Sequence, residues 1–95
     1  MKLIRYRTLP GRADENQLLI EAVFSQLEAK RSETLRYVSL RAGDTFLHLA
    51  DNAVDNPFVD IPAFAEFQRG IKERCEEPPL ARDVVIIGNH RMLLR

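Results

Sequence analysis

Residues 35–50, LRYVSLRAGDTFLHLA, decide the fold. Two runs of alternating apolar and polar residues flank Gly43-Asp44, which is the pattern of a β-hairpin with one half-buried face. Because side chains alternate along a strand, each run divides between two faces. One face carries the aliphatic residues Val38, Leu40, Leu47 and Leu49. The other carries Tyr37, Ser39, Arg41, Phe46, His48 and Ala50. We expect the aliphatic face to form core and the mixed face to carry function.

Composition indicates one domain over residues 1–95, since 45% of the residues are hydrophobic, an ordinary fraction for a folded chain of this length. The 14 basic and 14 acidic side chains cancel, which argues against a nucleic-acid or anionic-membrane partner. The single cysteine, Cys75, cannot form an internal disulfide, and no apolar run is long enough to cross a bilayer. We therefore expect a cytoplasmic protein.

The flanking sequence predicts two more strands and two helices. Residues 2–8 alternate as a strand, and residues 82–90 contain the apolar run of a strand covered on both faces. Residues 14–31 predict a helix capped by Asp14, with an apolar stripe of Leu19, Ile20, Val23, Phe24 and Leu27. Residues 62–74 predict a second helix capped by Asp60. Between them, residues 51–60 predict a loop with turn residues Asn52, Asp55, Asn56 and Pro57 and with Phe58 tucked beneath it.

The element order β-α-β-β-α-β predicts an α+β, ferredoxin-like fold, a four-stranded antiparallel sheet with both helices on one face. The helices are expected to cover Ile4, Tyr6, Val38, Leu40, Leu47 and Leu49. The uncovered face is expected to present Leu3, Arg5, Arg7, Tyr37, Ser39, Arg41, Phe46 and His48. An uncovered face that includes aromatic and aliphatic side chains indicates an interaction surface. We expect two copies to pair face to face as a homodimer that encloses a cavity.

The chain resembles the dimeric α+β barrel proteins, and among them small proteins similar to antibiotic-biosynthesis monooxygenases. The resemblance rests on the element order and on the segments YRTLPGRADENQLLIEAVFSQL, FLHLADN, PAFAEFQRGIKERCEEPP and VVIIGNHR. It implies either an oxygenase of aromatic compounds that works without a cofactor or a haem-degrading enzyme. The haem-degrading branch uses a histidine on the second helix and a tryptophan. This sequence has no histidine in residues 62–74 and no tryptophan, so we expect no bound cofactor or metal.

As an enzyme, the predicted function is oxygenation of a small phenolic compound without a cofactor. Catalysis would need a base and cationic stabilisation of the substrate anion, which makes His48 and Arg41 the candidate catalytic residues. The candidate substrate-binding residues are Arg5, Arg7, Tyr37, Ser39 and Phe46. A structural alternative is a cross-strand hydrogen bond between His48 and Ser39.

Two alternatives involve no chemistry. In the first, the same cavity belongs to a module that only binds a small aromatic or anionic ligand; in the second, the dimer is purely structural. RNA recognition by an RRM-like domain shares the element order but needs paired aromatic residues on the central strands. The first strand has Arg5 and Arg7 where an aromatic residue is expected, which ranks RNA recognition last.

Overall fold

The computed structural model describes residues 1–31, 33–52 and 57–93. In these residues the elements are β1 (Lys2–Thr8), α1 (Ala13–Lys30), β2 (Leu35–Ala42), β3 (Thr45–Asn52), α2 (Pro62–Arg69), α3 (Ile71–Arg74) and β4 (Cys75–Asp83). The strands form one antiparallel sheet in the order β2-β3-β1-β4. The helices pack on one face of this sheet around a core that contains Tyr6, Phe46 and Phe67. The predicted α+β, ferredoxin-like arrangement is confirmed.

The hairpin β2–β3 has the predicted register but the opposite orientation. Ser39 pairs with His48, as expected. However, His48 is 2% exposed and Phe46 1% exposed beneath the helices, whereas Leu40 on the other face is 57% exposed. The predicted division of the hairpin into a core face and a functional face was therefore wrong in which face the helices cover.

The pairing of β3 with β1 explains the orientation. His48 lies opposite Ile4, and Phe46 lies opposite Tyr6. Directly paired residues share a face of the sheet, so Tyr6 beneath the helices requires Phe46 there too. We call this the helix-facing side, and it carries Tyr37, Ser39, Arg41, Phe46 and His48. The opposite side, the open face, carries Val38, Leu40, Leu47 and Leu49.

Helix α1 packs through the predicted apolar stripe, but it begins without the predicted cap. Ile20 and Val23 are buried, and Leu19, Phe24 and Leu27 pack against them. The residue before the first turn is Arg12, which makes no capping hydrogen bond through its side chain. The Asp14 carboxylate instead forms an ion pair with Arg41 of β2 at 2.9 Å. This contact ties the start of α1 to the edge of the sheet.

The second predicted helix is divided at Gly70 into α2 and α3. It also lacks the predicted Asp60 cap, since Ile61 precedes the first turn without a capping side chain. A Cβ atom at Gly70 would lie 3.1 Å from Arg74 Nη1. Glycine at this position therefore leaves room for the guanidinium group of Arg74.

The fourth strand lies earlier in the chain than predicted, because β4 spans Cys75–Asp83 and not residues 82–90. It is an edge strand, where proline is tolerated, and its Pro78-Pro79 pair coincides with a register shift opposite β1. The apolar run that suggested a buried strand lies beyond it. Val85 is 84% exposed and Ile87 is 99% exposed, so burial within one chain does not explain this run.

The loop after β3 holds an aromatic plug, as predicted. Phe58 stacks on Phe64 of α2 with 4.0 Å between ring centroids, and its ring meets the edge of Tyr37 at 5.4 Å. The turn residues Asp55 and Asn56 lie outside the described residues. Phe58 therefore closes the aromatic core at the end of the hairpin.

Candidate functional site

A chain of buried hydrogen bonds crosses the space between the helices and the sheet. Arg74 Nε donates to Asn16 Oδ1 at 3.1 Å, and Asn16 Nδ2 donates to the Tyr6 hydroxyl at 2.8 Å. The same hydroxyl lies 2.8 Å from His48 Nε2. These four side chains come from α3, α1, β1 and β3, and each is at most 3% exposed. We call them the buried relay.

The relay ends at two hydroxyl groups of the edge strand β2. His48 Nδ1 lies 2.6 Å from Ser39 Oγ and 3.0 Å from the Tyr37 hydroxyl. The expected cross-strand pair of Ser39 and His48 is thus present, and Tyr37 joins it. Both ring nitrogens of His48 therefore have hydrogen-bond partners.

The direction of these bonds fixes the tautomer of His48. A guanidinium group can only donate, so the oxygen of Asn16 must face Arg74 and its amide must donate to Tyr6. The Tyr6 proton is then free to bond His48 Nε2, which accepts it. A neutral imidazole with an accepting Nε2 carries its proton on Nδ1. Burial lowers the pKa of His48 to about 4, so the ring is neutral at pH 7.

Burial also acts on the two tyrosines that flank His48. Desolvation raises the pKa of the Tyr6 phenol and of the Tyr37 phenol, so both hydroxyls keep their protons at neutral pH. The relay is therefore a set of neutral hydrogen-bonding groups attached to one cation, Arg74.

Arg74 is the charged end of the relay. It is 3% exposed and forms no ion pair with any acidic residue of the described chain. Besides Asn16 it donates from Nη2 to the Phe67 carbonyl oxygen at 2.6 Å, and its guanidinium lies 5.4 Å from the centroid of the Phe67 ring. A buried cation that is held only by neutral groups is uncommon and suggests a role beyond packing.

The hydroxyl end of the relay opens into a groove between α1 and β2. This open groove has a volume of about 620 Å³ and runs along the edge of β2. Its lining includes Tyr37 and Ser39, the apolar residues Ile20, Phe24 and Phe46, and Val38 and Leu40 of the open face. The polar residues of α1 that line it are Gln17, Glu21, Ser25 and Glu28. The α1–β2 groove therefore combines an apolar interior with two hydroxyl groups that are bonded to a buried histidine.

Arg41 lines the same groove. Its Nη1 atom donates to Asp14 Oδ1 at 2.9 Å and to Gln17 Oε1 at 2.7 Å, and its guanidinium lies 5.7 Å from the centroid of the Phe46 ring. The side chain is 32% exposed. Arg41 thus places positive charge beside the groove, although Asp14 offsets part of it.

Aromatic rings surround the relay. Tyr37 stacks between Phe24 and His48, with centroid distances of 5.1 and 5.8 Å. On the other side Tyr6 stacks on His48 at 5.3 Å, and Phe67 meets the His48 ring edge-on. This packing holds the imidazole plane in place, so its two nitrogens keep their separate partners.

Five of the seven predicted site residues come together on the helix-facing side: Tyr37, Ser39, Arg41, Phe46 and His48. Arg5 and Arg7 do not join them. Arg5 forms an ion pair with Glu77 at 3.0 Å, and Arg7 with Glu76 at 3.6 Å, both largely exposed on the other side of the sheet from His48. The expected common cavity of all seven residues was therefore wrong for these two arginines.

Three relay residues were absent from the predicted site, namely Tyr6, Asn16 and Arg74. Asn16 lies in helical register with the buried Ile20 and Val23, and Arg74 lies in register with Phe67 and Ile71. A polar side chain on an apolar stripe is the signal that would have identified both.

Metal-binding residues are not clustered in residues 1–31, 33–52 and 57–93, where no group of three or more His, Cys, Asp or Glu side chains is placed to hold an ion. None of the helices described has the length and hydropathy to span a bilayer.

Comparison with known proteins supports the fold. No protein-family model matches the sequence, and no curated protein matches it. The chain is similar to the crystal structure of a "putative antibiotic biosynthesis monooxygenase" from Bordetella bronchiseptica, with a TM-score of 0.58 and 19% sequence identity. The match covers 90% of this chain and 95% of that one. The chain thus shares the fold of that structure over nearly its whole length.

Proposed function

We propose that the α1–β2 groove binds a small aromatic compound with a phenol or enol group and that the protein promotes oxidation of this compound by O₂. The observation that carries the proposal is the pair of groove-lining hydroxyls, Ser39 and Tyr37, that share one buried histidine nitrogen. The fold similarity supports the same class of reaction.

The shape of the groove suits a small ring system. Its volume of about 620 Å³ lies within the usual range for ligand sites, roughly 300–1,000 Å³. Phe24 lines it and, being only partly buried, offers a ring on which an aromatic ligand would stack, whereas Phe46 is buried beneath Arg41. Ser39 and Tyr37 would then fix the orientation through a single oxygen atom of the ligand.

The proposed chemistry needs no external reductant. A methylene beside an enolisable carbonyl reacts with O₂ to give a second carbonyl and water: CH₂ + O₂ → C=O + H₂O. The enolate supplies the electrons, one oxygen atom stays on carbon, and the other leaves as water with the two hydrogens. In this scheme the proton that the Ser39 and Tyr37 hydroxyls do not use between themselves is donated to the enolate oxygen, as donors do in oxyanion sites. His48 acts through these hydroxyls, and its predicted role as a general base stays a prediction.

Oxygen uptake with anthrone tests the reaction, with anaerobic samples and protein-free samples as references. We expect uptake above the spontaneous rate, formation of anthraquinone, and a loss of at least tenfold in the Tyr37→Phe/Ser39→Ala double variant. Arg5→Ala, on the other side of the sheet, is the matched control and should retain the rate. A rate in the double variant equal to that of the unaltered protein would contradict the proposal.

A second candidate is ligand binding without turnover. It is favoured by the lowered pKa of His48, which makes the buried imidazole a weak base. Thermal-shift measurements with phenols and aromatic carboxylates separate the two functions. A ligand at a hundred times its Kd should stabilise the protein by about 2.7 kcal/mol. Saturable binding with no oxygen uptake would support this second candidate.

We also propose that two copies of the chain pair through their open faces. The open face is aliphatic, with Val38 36% and Leu40 57% exposed, and Leu80 of β4 is 56% exposed. Arg5 and Arg7 on this face are paired with acids of the same chain, so their charges are compensated and would repel a copy little.

The area of the open face is too small for a standard dimer interface unless residues 84–93 also contribute to the contact. Four strands of this length cover roughly 500 Å², less than the roughly 800 Å² per partner of a standard interface. The exposed Val85 and Ile87 add apolar area beyond β4. A twofold contact that buries both the sheet and this segment would have a larger area than the sheet alone.

Sedimentation equilibrium tests the pairing. We expect a mass of twice 10.9 kDa for the unaltered chain and a shift towards the monomer in Leu40→Asp. Leu18→Asp is the matched control, because Leu18 is 66% exposed on α1. A monomer at high concentration, or a Leu40→Asp variant that still pairs, would contradict the proposal.

A further inference from the structure

We infer that the buried relay makes the α1–β2 groove selective for an anionic oxygen and that Arg74 is the positioning residue that sets this preference. The inference rests on the proposed ligand site and names the charge state in which the ligand binds. It follows from the direction of the hydrogen bonds, which run from the Arg74 cation to the groove without reversal.

The first part of the relay has only one possible direction. Arg74 has no acceptor atom, so Nε donates to Asn16, and Asn16 must present its oxygen to it. The Asn16 amide nitrogen is thereby placed 2.8 Å from the Tyr6 oxygen, to which it donates. An asparagine without this cation would be free to exchange its oxygen and nitrogen.

The second part of the relay follows from the first. With its oxygen accepting from Asn16, the Tyr6 hydroxyl gives its proton to His48 Nε2, and the imidazole proton stays on Nδ1. Nδ1 then donates to the hydroxyls of Ser39 and Tyr37. One of these hydroxyls can donate to the other, but the proton of the second is left for an acceptor in the groove.

The positive charge of Arg74 reinforces the direction in which these hydrogen bonds donate. Hydrogen bonds in a series polarise one another, and the effect is larger in a buried environment than in water. Arg74 forms no ion pair with an acidic residue of the described chain, and its positive charge acts directly on the neighbouring Tyr6 hydroxyl. The groove therefore meets the polarised, donating end of a chain that begins at a cation.

The other charged groups at the groove oppose each other. Arg41 favours an anion, whereas Glu21 and Glu28 of α1 line the groove and disfavour one. Asp14 already pairs with Arg41. On the far side of the relay, a cleft beside Arg74 is lined by Glu15 and Glu66, which pair with Arg12 and Arg69, and by Glu73. The named groups at the groove therefore carry a net negative charge, which disfavours an anion, so a preference for the phenolate there would have to come from the relay.

The test uses 4-nitrophenol as the probe, because its anion absorbs visible light and its neutral form does not. The pKa of the bound probe is measured by titration in the unaltered protein and in Arg74→Met. We expect the anion to bind at least tenfold more tightly than the neutral phenol, and Arg74→Met to bind the probe with this preference lost. Arg69→Met, an exposed ion-paired arginine of α2, is the matched control and should keep the preference.

The outcomes separate this inference from the proposed function. A probe that binds as the neutral phenol, or an Arg74→Met variant that keeps the tenfold preference, would overturn the inference while leaving the ligand site intact. A probe that does not bind at all would overturn the ligand site and the inference with it.

A second measurement needs no variant and no ligand. The ¹⁵N chemical shifts of the His48 ring in the unaltered protein report which nitrogen carries the proton. We expect the proton on Nδ1 and an unprotonated Nε2 at pH 7. The opposite tautomer would overturn the inference even if Arg74→Met fails to fold.

Discussion

The two sides of the sheet bury different chemistry. The helix-facing side holds aromatic rings and a polar series that includes a histidine at 2% exposure and an arginine at 3% exposure. The open face holds aliphatic side chains, of which Leu40 is 57% exposed. Polarity alone would have placed the two sets the other way round. The polar set can lie on the covered side because each of its groups has a hydrogen-bond partner, and a satisfied polar group costs little to bury.

The largest effect on the free energy of unfolding is expected from removing a packed side chain on the helix-facing side, compared with one on the open face. Phe46→Ala removes a ring at 1% exposure and should lower the free energy of unfolding by about 3–5 kcal/mol. Leu40→Ala should cost under about 1 kcal/mol in a single chain, because its side chain is already half exposed. Urea denaturation of both variants measures the difference. A larger cost for Leu40→Ala should depend on protein concentration, since only pairing would cover that residue.

The hairpin shows how much of the fold could be predicted from the sequence. The turn at Gly43-Asp44 and the pairing of Ser39 with His48 follow from alternation alone, and both are present. Alternation does not state which of two apolar faces the helices cover. The pairing of Tyr6 with Phe46 decides that, and it depends on which strand lies beside β3 and on a register that no local pattern sets.

The next effect is a dependence of stability on pH that comes from His48. Burial lowers its pKa from 6.5 to about 4, so between these values the unfolded chain takes up a proton that the folded chain does not. Stability is then complete above pH ~6.5 and falls by about 3 kcal/mol as pH drops to ~4. The difference should be absent in His48→Gln, whose carboxylates titrate as in the unaltered protein. Equal pH profiles of the two proteins by thermal unfolding would contradict the prediction.

A smaller effect on the free energy of unfolding is expected when single hydroxyl groups are removed from the hydrogen-bonded series. It tests whether each polar group there depends on one particular partner. Tyr6→Phe leaves the Asn16 amide and His48 Nε2 unpaired and should cost about 2–3 kcal/mol. Tyr37→Phe should cost under about 1 kcal/mol, because Ser39 continues to accept from His48 Nδ1 at 2.6 Å. Chemical denaturation of both variants makes the comparison. Equal losses of unfolding free energy in the two variants would contradict the assignment of Tyr6 as the only partner, among the described residues, of Asn16 Nδ2 and His48 Nε2 and of Tyr37 as replaceable by Ser39.

The contacts of the buried relay could not be predicted from the sequence. Asn16 and Arg74 lie on apolar stripes of their helices, yet nothing local indicates that they meet at 3.1 Å across 58 residues. The fourth strand was misplaced for a related reason. The run Val84–Ile87 has the hydropathy of a buried strand, whereas Cys75–Asp83, with two prolines, forms the strand because β1 offers it an edge. In both cases the deciding partner is distant in sequence.

The smallest expected effect comes from the arginines of β1. Arg5→Gln breaks an ion pair with Glu77 in which both side chains are about half exposed, and such pairs contribute under about 1 kcal/mol. Stability should therefore change little, and the affinity of the groove for a phenol should not change at all, because Arg5 lies on the other side of the sheet. Isothermal titration with 4-nitrophenol, alongside Arg41→Gln, measures this. A loss of affinity for Arg5→Gln as large as that for Arg41→Gln would show that both sides contribute to one site, and the separation between the helix-facing side and the open face would not hold.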